Sequence, residues 1–350
     1  MLPTFRDLHP CFKINGIALD KEGLLDLAYI FIKEGAPFEK EIGVFLFDWL
    51  DSSSTLQMKT SGTTGQPKTI TLSKQAMVHS ALATAEFFNL LPGDKALLCL
   101  PSRYVAGKMM LVRAFILGLE LDILTPTSNF EALLFNKKYD FVALVPLQVQ
   151  QNLKLLKQFK KIIIGGAPVS KVLADQLQQM DSEIYETYGM TETITHIAAK
   201  RVGADCFTVL PNVSIATDDR NCLKIKAPLI VAAEVQTNDI VEIVTANSFK
   251  WIGRHDNVIN SGGVKLFPEQ IEAKLGKQIV QSFFITGVSD ENLGQKVLLV
   301  VEGKPFTVSD TLFSNLEKYE QPKEVVFIPE FVRTETAKIN IKKTLNSIGF

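Results

Sequence analysis

Between about residues 70 and 190, the chain alternates short apolar runs with segments of helical length. The apolar runs are rich in β-formers, and strands that are buried on both faces read as continuous runs of this kind. Strands alternating with helices predict an α/β fold with a mostly parallel sheet flanked by helices, and ligands usually bind at the carboxyl ends of such strands. The predicted strands are Lys95–Leu100, Leu121–Leu124, Phe141–Pro146 and Lys161–Gly165; the predicted helices are Ser73–Asn89, Lys108–Leu117, Phe130–Phe135 and Val149–Phe159.

After about Asn221 the pattern changes to shorter β-type segments with two helices, which predicts a smaller α+β domain. A chain of 350 residues also exceeds one ordinary core and suggests two domains. We place the boundary near His255, giving an N-terminal domain over 1–255 and a C-terminal domain over 256–350. The strands expected here are Leu223–Lys226, Leu229–Ala233, Val241–Val244, Gln281–Val288, Lys296–Glu302 and Glu324–Ile328; the helices are Pro268–Leu275 and Thr311–Tyr319.

The charge balance narrows the classes of partner. Lys and Arg number 37 against 38 Asp and Glu, so no basic excess exists to neutralise a phosphate backbone, and nucleic-acid binding is not expected as the main function. No apolar run approaches the ~20 residues that cross a bilayer, and the first residues lack a secretory pattern. These features predict a cytoplasmic protein without membrane insertion, and they give no prediction of its oligomeric state.

The cysteines and histidines are scattered along the chain, with no C-x-x-C pair and no H-E-x-x-H motif. This spacing predicts neither a disulfide framework nor a metal held by protein ligands alone. A metal ion carried in by a nucleotide remains compatible with the sequence.

A glycine- and hydroxyl-rich nonamer is the most informative stretch for function. Its glycines allow backbone N–H groups to turn inward, its hydroxyls add donors, and its lysine adds positive charge, a combination suited to a polyphosphate. The alternatives are a plain surface turn or a Walker P-loop, and the latter fails because a proline stands where the second phosphate-binding glycine is needed. The nine residues are Thr60, Ser61, Gly62, Thr63, Thr64, Gly65, Gln66, Pro67 and Lys68.

Two further stretches offer surfaces for a flat ligand and a phosphate. Gly165, Gly166, Ala167 and Pro168 close an apolar strand and permit close backbone approach, although Gly-Gly turns are common. In the segment that follows, Tyr188 offers an aromatic face beside Gly189, Thr191 offers a hydroxyl, and Glu192 is a hard oxygen ligand suited to Mg²⁺. Alternatively, Thr191 caps a helix that has Glu192 in its first turn.

Polar groups further along the chain suit a ribose. The Asp239 carboxylate can accept hydrogen bonds from two hydroxyls, and Arg254 can donate to ribose or phosphate. The alternative for Arg254 is a surface ion pair with Asp256.

Taken in order, these stretches resemble the acyl-adenylate-forming enzymes, the superfamily of acyl-CoA synthetases, luciferases and peptide-synthetase adenylation domains, over residues 55 to about 345. The resemblance implies a large N-terminal domain, a small mobile C-terminal lid, and the use of ATP, Mg²⁺ and coenzyme A. It assigns the nonamer to the phosphates, Gly165–Pro168 to the adenine, and Tyr188–Glu192 to closing the nucleotide pocket with Glu192 on Mg²⁺.

The same resemblance implies a hinge at Asp256 and a coenzyme A tunnel along the stretch that contains Gly262, Gly263 and Lys265. It also implies that Lys338 is a catalytic lysine, delivered by a C-terminal loop to offset charge between the carboxylate and the α-phosphate. This chain has Ala337 where the family usually has glycine, so a lysine merely exposed near the C-terminus is the alternative.

Within the family the chain is short, and the pattern from Asp256 to Glu272 is most similar to the compact o-succinylbenzoate–CoA ligases of menaquinone synthesis. The implied activity is an ATP-dependent acid–CoA ligase that acts through an acyl-adenylate on a small carboxylate. Arg103 or Lys108 could pair with a second substrate carboxylate, or both could be solvated charges at a helix start. The alternatives are a ligase for another aromatic or aliphatic acid, an enzyme that loads a carrier protein, and a non-catalytic ATP sensor.

Overall fold

A computed structural model describes residues 2–59, 69–130, 137–333 and 339–350. By its internal contacts the chain divides into two compact units, which we call the first and the second unit. The hinge expected at Asp256 falls inside the second unit and stays a prediction. The first unit contains Met1–Val169, Gln176–Ser214 and Ile225–Val235, and the second contains Ser170–Asp175, Ile215–Lys224 and Gln236–Phe350.

The first unit has a mainly parallel sheet in the order β11-β10-β9-β8-β7-β5-β6-β1-β2. Strands β5 to β9 and β1 run parallel to their neighbours within this core, whereas β2, β10 and β11 pair antiparallel at the two ends. These strands are β1 Lys13–Ile14, β2 Ile17–Ala18, β5 Lys95–Leu98, β6 Glu120–Ile123, β7 Tyr139–Leu144, β8 Phe159–Ile164, β9 Glu183–Gly189, β10 His196–Arg201 and β11 Cys206–Val209. The expected α/β class is confirmed.

Helices accompany this sheet, and a separate hairpin joins β3 to β4. Helix α3 begins as predicted, because the Ser73 hydroxyl accepts a hydrogen bond from the Ala76 N–H and satisfies a free helix donor. The helices are α1 Lys21–Glu34, α2 Pro37–Leu50, α3 Lys74–Phe88, α4 Val105–Leu117 and α5 Pro146–Gln151, and the hairpin strands are β3 Thr55–Lys59 and β4 Thr69–Ser73. Most of the next helix, α6 Lys171–Leu177, belongs to the second unit.

The second unit contains one run of neighbouring strands, β12-β13-β14-β15, and a separate five-stranded sheet. In that sheet the order is β17-β16-β19-β18, and β20 pairs parallel with β19. The strands are β12 Ser214–Thr217, β13 Cys222–Lys226, β14 Val235–Thr245, β15 Ser248–Arg254, β16 Ile259–Ser261, β17 Val264–Leu266, β18 Phe283–Asp290, β19 Gly294–Glu302 and β20 Glu324–Ile328, with helices α7 Pro268–Leu275 and α8 Ile341–Asn346.

Three predicted elements are shorter or absent. The first, Leu229–Ala233, is not a strand. The Ala227 carbonyl accepts hydrogen bonds from the backbone N–H groups of Ile230 and Val231, and these bonds turn the chain. The helix expected over Thr311–Tyr319 is only a 3-10 turn at Asp310–Phe313.

The helix expected over Val149–Phe159 is also broken. Helix α5 ends at Gln151 and a 3-10 segment follows over Leu153–Gln158. At the break, Asn152 has a non-helical φ of −122°, and its side chain donates to the Ser128 carbonyl (2.8 Å) and accepts from the Phe130 N–H (3.0 Å). The helix expected over Phe130–Phe135 lies almost wholly outside the described residues.

Candidate functional site

The glycine pair after β8 lies at the carboxyl edge of the parallel strands. Strands β8 and β9 pair in parallel with Ile164 opposite Glu186, which brings Gly165 beside Thr187. A Cβ on Gly165 would lie 2.8 Å from the Thr187 hydroxyl oxygen, which itself donates to the Ile164 carbonyl at 3.0 Å. Gly166 has a φ of +87°, a conformation that favours glycine. A side chain at Gly165 would therefore crowd Thr187, and the exposed residues Gly166–Pro168 leave this strand end open, which fits the expected approach of a flat base.

Strand β9 ends at the same edge with the pair predicted to hold the base. The Tyr188 ring is partly exposed and lies 5.9 Å from the Phe207 ring between centroids. Gly189 has no room for a side chain, because a Cβ there would collide with the Thr195 carbonyl and lie 2.5 Å from the His196 Cα. The structure thus brings the Gly165 and Tyr188 stretches together at neighbouring strand ends.

Thr191 and Glu192 lie in the turn that connects β9 to β10. The alternative, a helix capped by Thr191, does not form; a 3-10 turn spans Thr191–Thr193 and ends at Ile194, whose φ is +66°. Glu192 is exposed, as a ligand for an incoming metal ion must be.

In the second unit, Asp239 and Arg254 lie opposite each other on β14 and β15. Asp239 is only 6% exposed, accepts a hydrogen bond from the Trp251 indole N–H at 3.3 Å, and has its Oδ1 atom 3.8 Å from the Arg254 guanidinium. Arg254 also donates to Asp256 at 3.1 Å. The surface ion pair considered for Arg254 is present, Asp239 lies beside it, and ribose binding by these two residues stays a prediction.

Hydrogen bonds surround the segment predicted as a hinge. The Asn238 amide donates to both carboxylate oxygens of Asp256. Burial alone would raise the pKa of Asp256, but hydrogen bonds from Arg254 and Asn238 and the nearby positive charge outweigh it and hold that pKa below the ordinary value. On α7, the Glu269 carboxylate accepts from the Arg254 N–H (3.3 Å) and from the Asn257 amide (2.7 Å).

Gly262 and Gly263 form the two-residue loop of the β16–β17 hairpin. Ser261 pairs with Val264, and the glycines have φ values of +58° and +81°, as a type I′ turn requires. This turn accounts for both glycines without a ligand. Lys265 is exposed on β17, and the coenzyme A contacts of all three residues stay a prediction.

The predicted phosphate loop and catalytic lysine lie outside the described residues, namely Thr60, Ser61, Gly62, Thr63, Thr64, Gly65, Lys68 and Lys338. Their flanks are described. Lys59 pairs with Thr69 across the β3–β4 hairpin, and Arg333 forms an isolated antiparallel bridge with Ile339.

A buried arginine is the residue that sequence reasoning missed. Arg113 on α4 is 1% exposed, and its Nε and Nη2 atoms have no hydrogen-bond partner among the described residues. Its Nη1 atom contacts only the Met110 sulfur at 3.6 Å, and burial lowers the pKa of Arg113 to about 9. The available signal was one arginine in the otherwise apolar run from Met109 to Leu117.

His196, at the start of β10, lies in the same buried region. Its ring nitrogens lie 3.4 Å from the Thr84 and Thr195 hydroxyls, and burial together with the charge of Arg113 lowers the pKa of His196 well below its ordinary value. Two basic side chains therefore lie near each other in the first unit, and neither forms an ion pair with a carboxylate in the described part of the chain.

The two residues proposed from the sequence for a second substrate carboxylate differ in their surroundings. Arg103 is exposed, pairs with Glu41 at 3.3 Å and lies over the Tyr104 ring, so it already has a carboxylate. Lys108 lies 5.0 Å from the Phe45 ring centroid, and burial lowers its pKa.

The described residues contain no cluster of metal-binding side chains. No group of three His, Cys, Asp or Glu side chains among them could hold a metal ion. None of the described helices has the length and apolar character to span a bilayer. Two open cavities of about 310 and 730 Å³ share Arg6, Asp7, Leu8 and Lys21 in their walls, and neither is lined by a predicted site residue.

A family model described as AMP-binding enzyme matches residues 53–252. Among curated proteins, the 2-succinylbenzoate–CoA ligase of Listeria monocytogenes is 25% identical over 329 residues, covering 84% of this chain and 70% of that protein. The enzyme of the same name from Oceanobacillus iheyensis is 25% identical over 323 residues, with coverages of 81% and 67%.

Solved structures give the same picture of the fold. A protein from Dyadobacter fermentans, described as acyl-CoA synthetase (AMP-forming)/AMP-acid ligase II-like, is 35% identical with a TM-score of 0.63, and the match covers 93% of this chain and 98% of that one. The O-succinylbenzoate coenzyme A synthetase of Bacillus subtilis, in complex with ATP and magnesium ion, has a TM-score of 0.73 at 18% identity, with coverages of 82% and 69%.

Proposed function

This chain belongs to the AMP-binding enzyme family and is an AMP-forming acid–CoA ligase, and we propose that its acid is a dicarboxylate, o-succinylbenzoate. Enzymes of this class use ATP, Mg²⁺ and coenzyme A, which we take as the partners of this chain. A carboxylate oxygen attacks the α-phosphorus of ATP and pyrophosphate leaves. The coenzyme A thiol then attacks the acyl carbon and AMP leaves, forming the thioester.

Each residue in the site has a role in this proposal. The loop from Thr60 to Lys68 holds the phosphates, and the edge formed by Gly165–Pro168 and Tyr188–Gly189 holds the adenine. Thr191 binds phosphate, Glu192 binds the Mg²⁺ that arrives with ATP, and Asp239 and Arg254 hold the ribose. Lys338 offsets charge between the acid and the α-phosphate, a step that depends on positioning and electrostatics. The paired strand ends and the Asp239–Arg254 pair support these roles.

The choice of a dicarboxylate depends on Arg113. A fully buried guanidinium with two donor atoms that lack a partner among the described residues is costly, because charged groups lose hydration on burial and are usually compensated by an ion pair. A second carboxylate on the substrate, the one that does not react, would supply the missing anion with the two-pronged geometry that arginine prefers.

The position of Arg113 agrees with this role. Its charge lowers the pKa of His196, which pairs with Gly189 at the end of β9. Arg103 is the weaker candidate, because it is exposed and already paired with Glu41.

The test uses o-succinylbenzoate and two analogues that each lack one carboxylate, 3-benzoylpropionate and 2-butyrylbenzoate. Pyrophosphate release with ATP and Mg²⁺ is measured for each acid, with and without coenzyme A. We expect kcat/KM for o-succinylbenzoate to exceed that of both analogues by ~10²-fold or more.

The matched variant is Arg113→Met, which replaces the cation with an apolar side chain of similar length. It should reduce kcat/KM for o-succinylbenzoate by about 10²-fold. For the analogue that keeps the reacting carboxylate, kcat/KM of the variant should stay within a few-fold of the parent's value. Equal losses for all acids would reject the role of Arg113. Release of pyrophosphate with other acids alone would overturn the substrate, and no release with any acid despite ATP binding would favour a sensor.

A further inference from the structure

The turn between β9 and β10 contains an unusual backbone conformation. Ile194 has φ +66° and ψ −58°, and the Thr195 N–H donates to the Thr193 carbonyl at 2.7 Å, which closes a three-residue γ-turn of the rare, strained form. Positive φ is costly for a β-branched residue. The other non-glycine residues with positive φ in the described ranges are all asparagines, which tolerate it: Asn15, Asn89, Asn212 and Asn221.

Two features hold the strained residue in place. The Ile194 side chain is 1% exposed and packs in the main hydrophobic core of the first unit. The Thr193 hydroxyl, which is fully buried, accepts from the Met190 N–H at 3.1 Å and lies within donating distance of the Met190 carbonyl (3.1 Å) and the Thr195 carbonyl (2.9 Å). This one hydroxyl therefore connects both ends of the turn.

The γ-turn also explains why β9 must end in glycine. It directs the Thr195 carbonyl at the Cα of Gly189, where any Cβ would collide with it. Gly189 pairs with His196 across the two strands, so the six residues between them, 190–195, form a loop whose two ends are held together. Thr191 and Glu192 lie within this loop.

We propose that Thr193 and Ile194 are positioning residues, which fix the direction of Thr191 and Glu192 towards the metal-bound phosphates of ATP. This inference rests on the proposed function, because it takes Glu192 as the ligand for the Mg²⁺ of ATP. A group held in advance pays less ordering entropy when its ligand binds, and strained conformations persist where the surroundings enforce them. A purely structural turn would contribute to folding without affecting metal-dependent binding.

The first test compares Thr193→Val, which keeps the shape but loses the hydroxyl, with Thr193→Ser, which keeps the hydroxyl. ATP binding is measured by calorimetry in the presence of Mg²⁺ and in the presence of EDTA, without any acid. The affinity gained from Mg²⁺ should fall by ~10-fold in Thr193→Val, whereas ATP affinity in EDTA stays within about two-fold of the parent. Thr193→Ser should retain most of the gain.

The second test separates backbone strain from side-chain packing. Ile194→Gly and Ile194→Ala both remove the side chain, but only glycine relieves the positive φ. We expect Ile194→Gly to have the higher melting temperature of the two and to retain more of the affinity gain from Mg²⁺, because glycine adopts the backbone conformation of the turn without strain and alanine does not.

Each outcome decides the inference. An unchanged Mg²⁺ gain in Thr193→Val, or an equal gain in Ile194→Gly and Ile194→Ala, would overturn the positioning role. A parent protein that gains nothing from Mg²⁺ would overturn it as well. If the parent gains affinity from Mg²⁺ yet releases no pyrophosphate with any acid, the proposed function fails while the positioning role is still judged by the variants.

Discussion

In the proposed function, Arg113 lowers the stability of the free protein and contributes to recognition of the acid. Its guanidinium is buried without a counter-ion in the described part of the chain, so the folded state pays a desolvation cost that a bound carboxylate would offset. Burial also lowers the pKa of Arg113 to about 9. A residue of this kind is expected at a binding site more often than in a structural core.

Arg113→Met should therefore stabilise the protein while impairing its activity. We expect the free energy of unfolding at pH 7 to rise by roughly 1–3 kcal/mol, because a methionine fills the space without a buried charge. Denaturant unfolding measures this change. Arg103→Met is the control, since Arg103 is exposed and its ion pair with Glu41 is worth less than about 1 kcal/mol. A loss of stability in Arg113→Met would indicate that the guanidinium is already compensated in the free protein.

Gly189 provides a second prediction at this scale. In Gly189→Ala, the new Cβ would collide with the Thr195 carbonyl and lie 2.5 Å from the His196 Cα, both of them backbone atoms that cannot rotate away. We expect destabilisation by roughly 1–3 kcal/mol, as for other overpacked sites, measured as a fall in the melting temperature. Gly23→Ala on α1 is the control. Its nearest neighbour is the flexible Leu19 side chain at 3.1 Å, so a helical alanine should be neutral or slightly stabilising there.

At the scale of elements, the parallel strands and their helices followed from the sequence. Strands β5, β7 and β8 each contain a short apolar run, and α3 has a serine cap that is visible in the sequence. Helix α7 and strand β20 have the predicted bounds. Local patterns predict an element well where its apolar residues follow the spacing of that element.

Elements controlled by a single side chain or by tertiary pairing were not predictable in the same way. Asn152 lies at a break in a helical pattern, where its side chain forms hydrogen bonds with Ser128 and Phe130, which are distant in sequence. The run Leu229–Ala233 has strand composition, but hydrogen bonds to the Ala227 carbonyl turn it. The rare backbone of Ile194 could not be read from an isoleucine at all, since isoleucine avoids that conformation.

Helix α7 carries a carboxyl group whose ionisation opposes folding. Although Glu272 as a residue is partly exposed, burial of its carboxyl, with a smaller effect from Glu269, raises the pKa of Glu272 from 4.5 to about 8 against a hydrogen bond from the Ile285 N–H. Between these pH values the folded protein holds a proton that the unfolded chain has lost. Rising pH therefore lowers the free energy of unfolding across this window.

Glu272→Gln should remove this dependence, because glutamine can still accept from Ile285 and never ionises. We compare the free energy of unfolding of the variant with that of the parent at each pH. This difference should favour the variant by roughly 1–3 kcal/mol more at pH 8 than at pH 5. Urea unfolding at the two pH values measures the difference. Glu291→Gln, at an exposed position, should follow the parent at both. A parallel loss in parent and Glu272→Gln would assign the pH effect to other groups.

At the scale of the whole molecule, the sequence predicts a set of site stretches whose positions the structure describes only in part and whose binding roles stay predictions. The strand-end glycines, Tyr188 and the Asp239–Arg254 pair are brought together within their own units as expected. The phosphate loop and Lys338, on which the chemistry depends, lie outside the described residues and stay predictions. Arg113 was missed because its significance depends on burial and on absent partners, which only a fold can show.

The central claim is that the acid reacts with ATP through an acyl-adenylate. The most direct test supplies o-succinylbenzoate with ¹⁸O in all its carboxyl oxygens, together with ATP, Mg²⁺ and coenzyme A, and analyses the AMP by mass spectrometry. Attack on the α-phosphorus leaves one carboxylate oxygen on the phosphate when the thiol displaces AMP, so each AMP should carry one ¹⁸O. AMP without label, or label in pyrophosphate instead, would contradict the account.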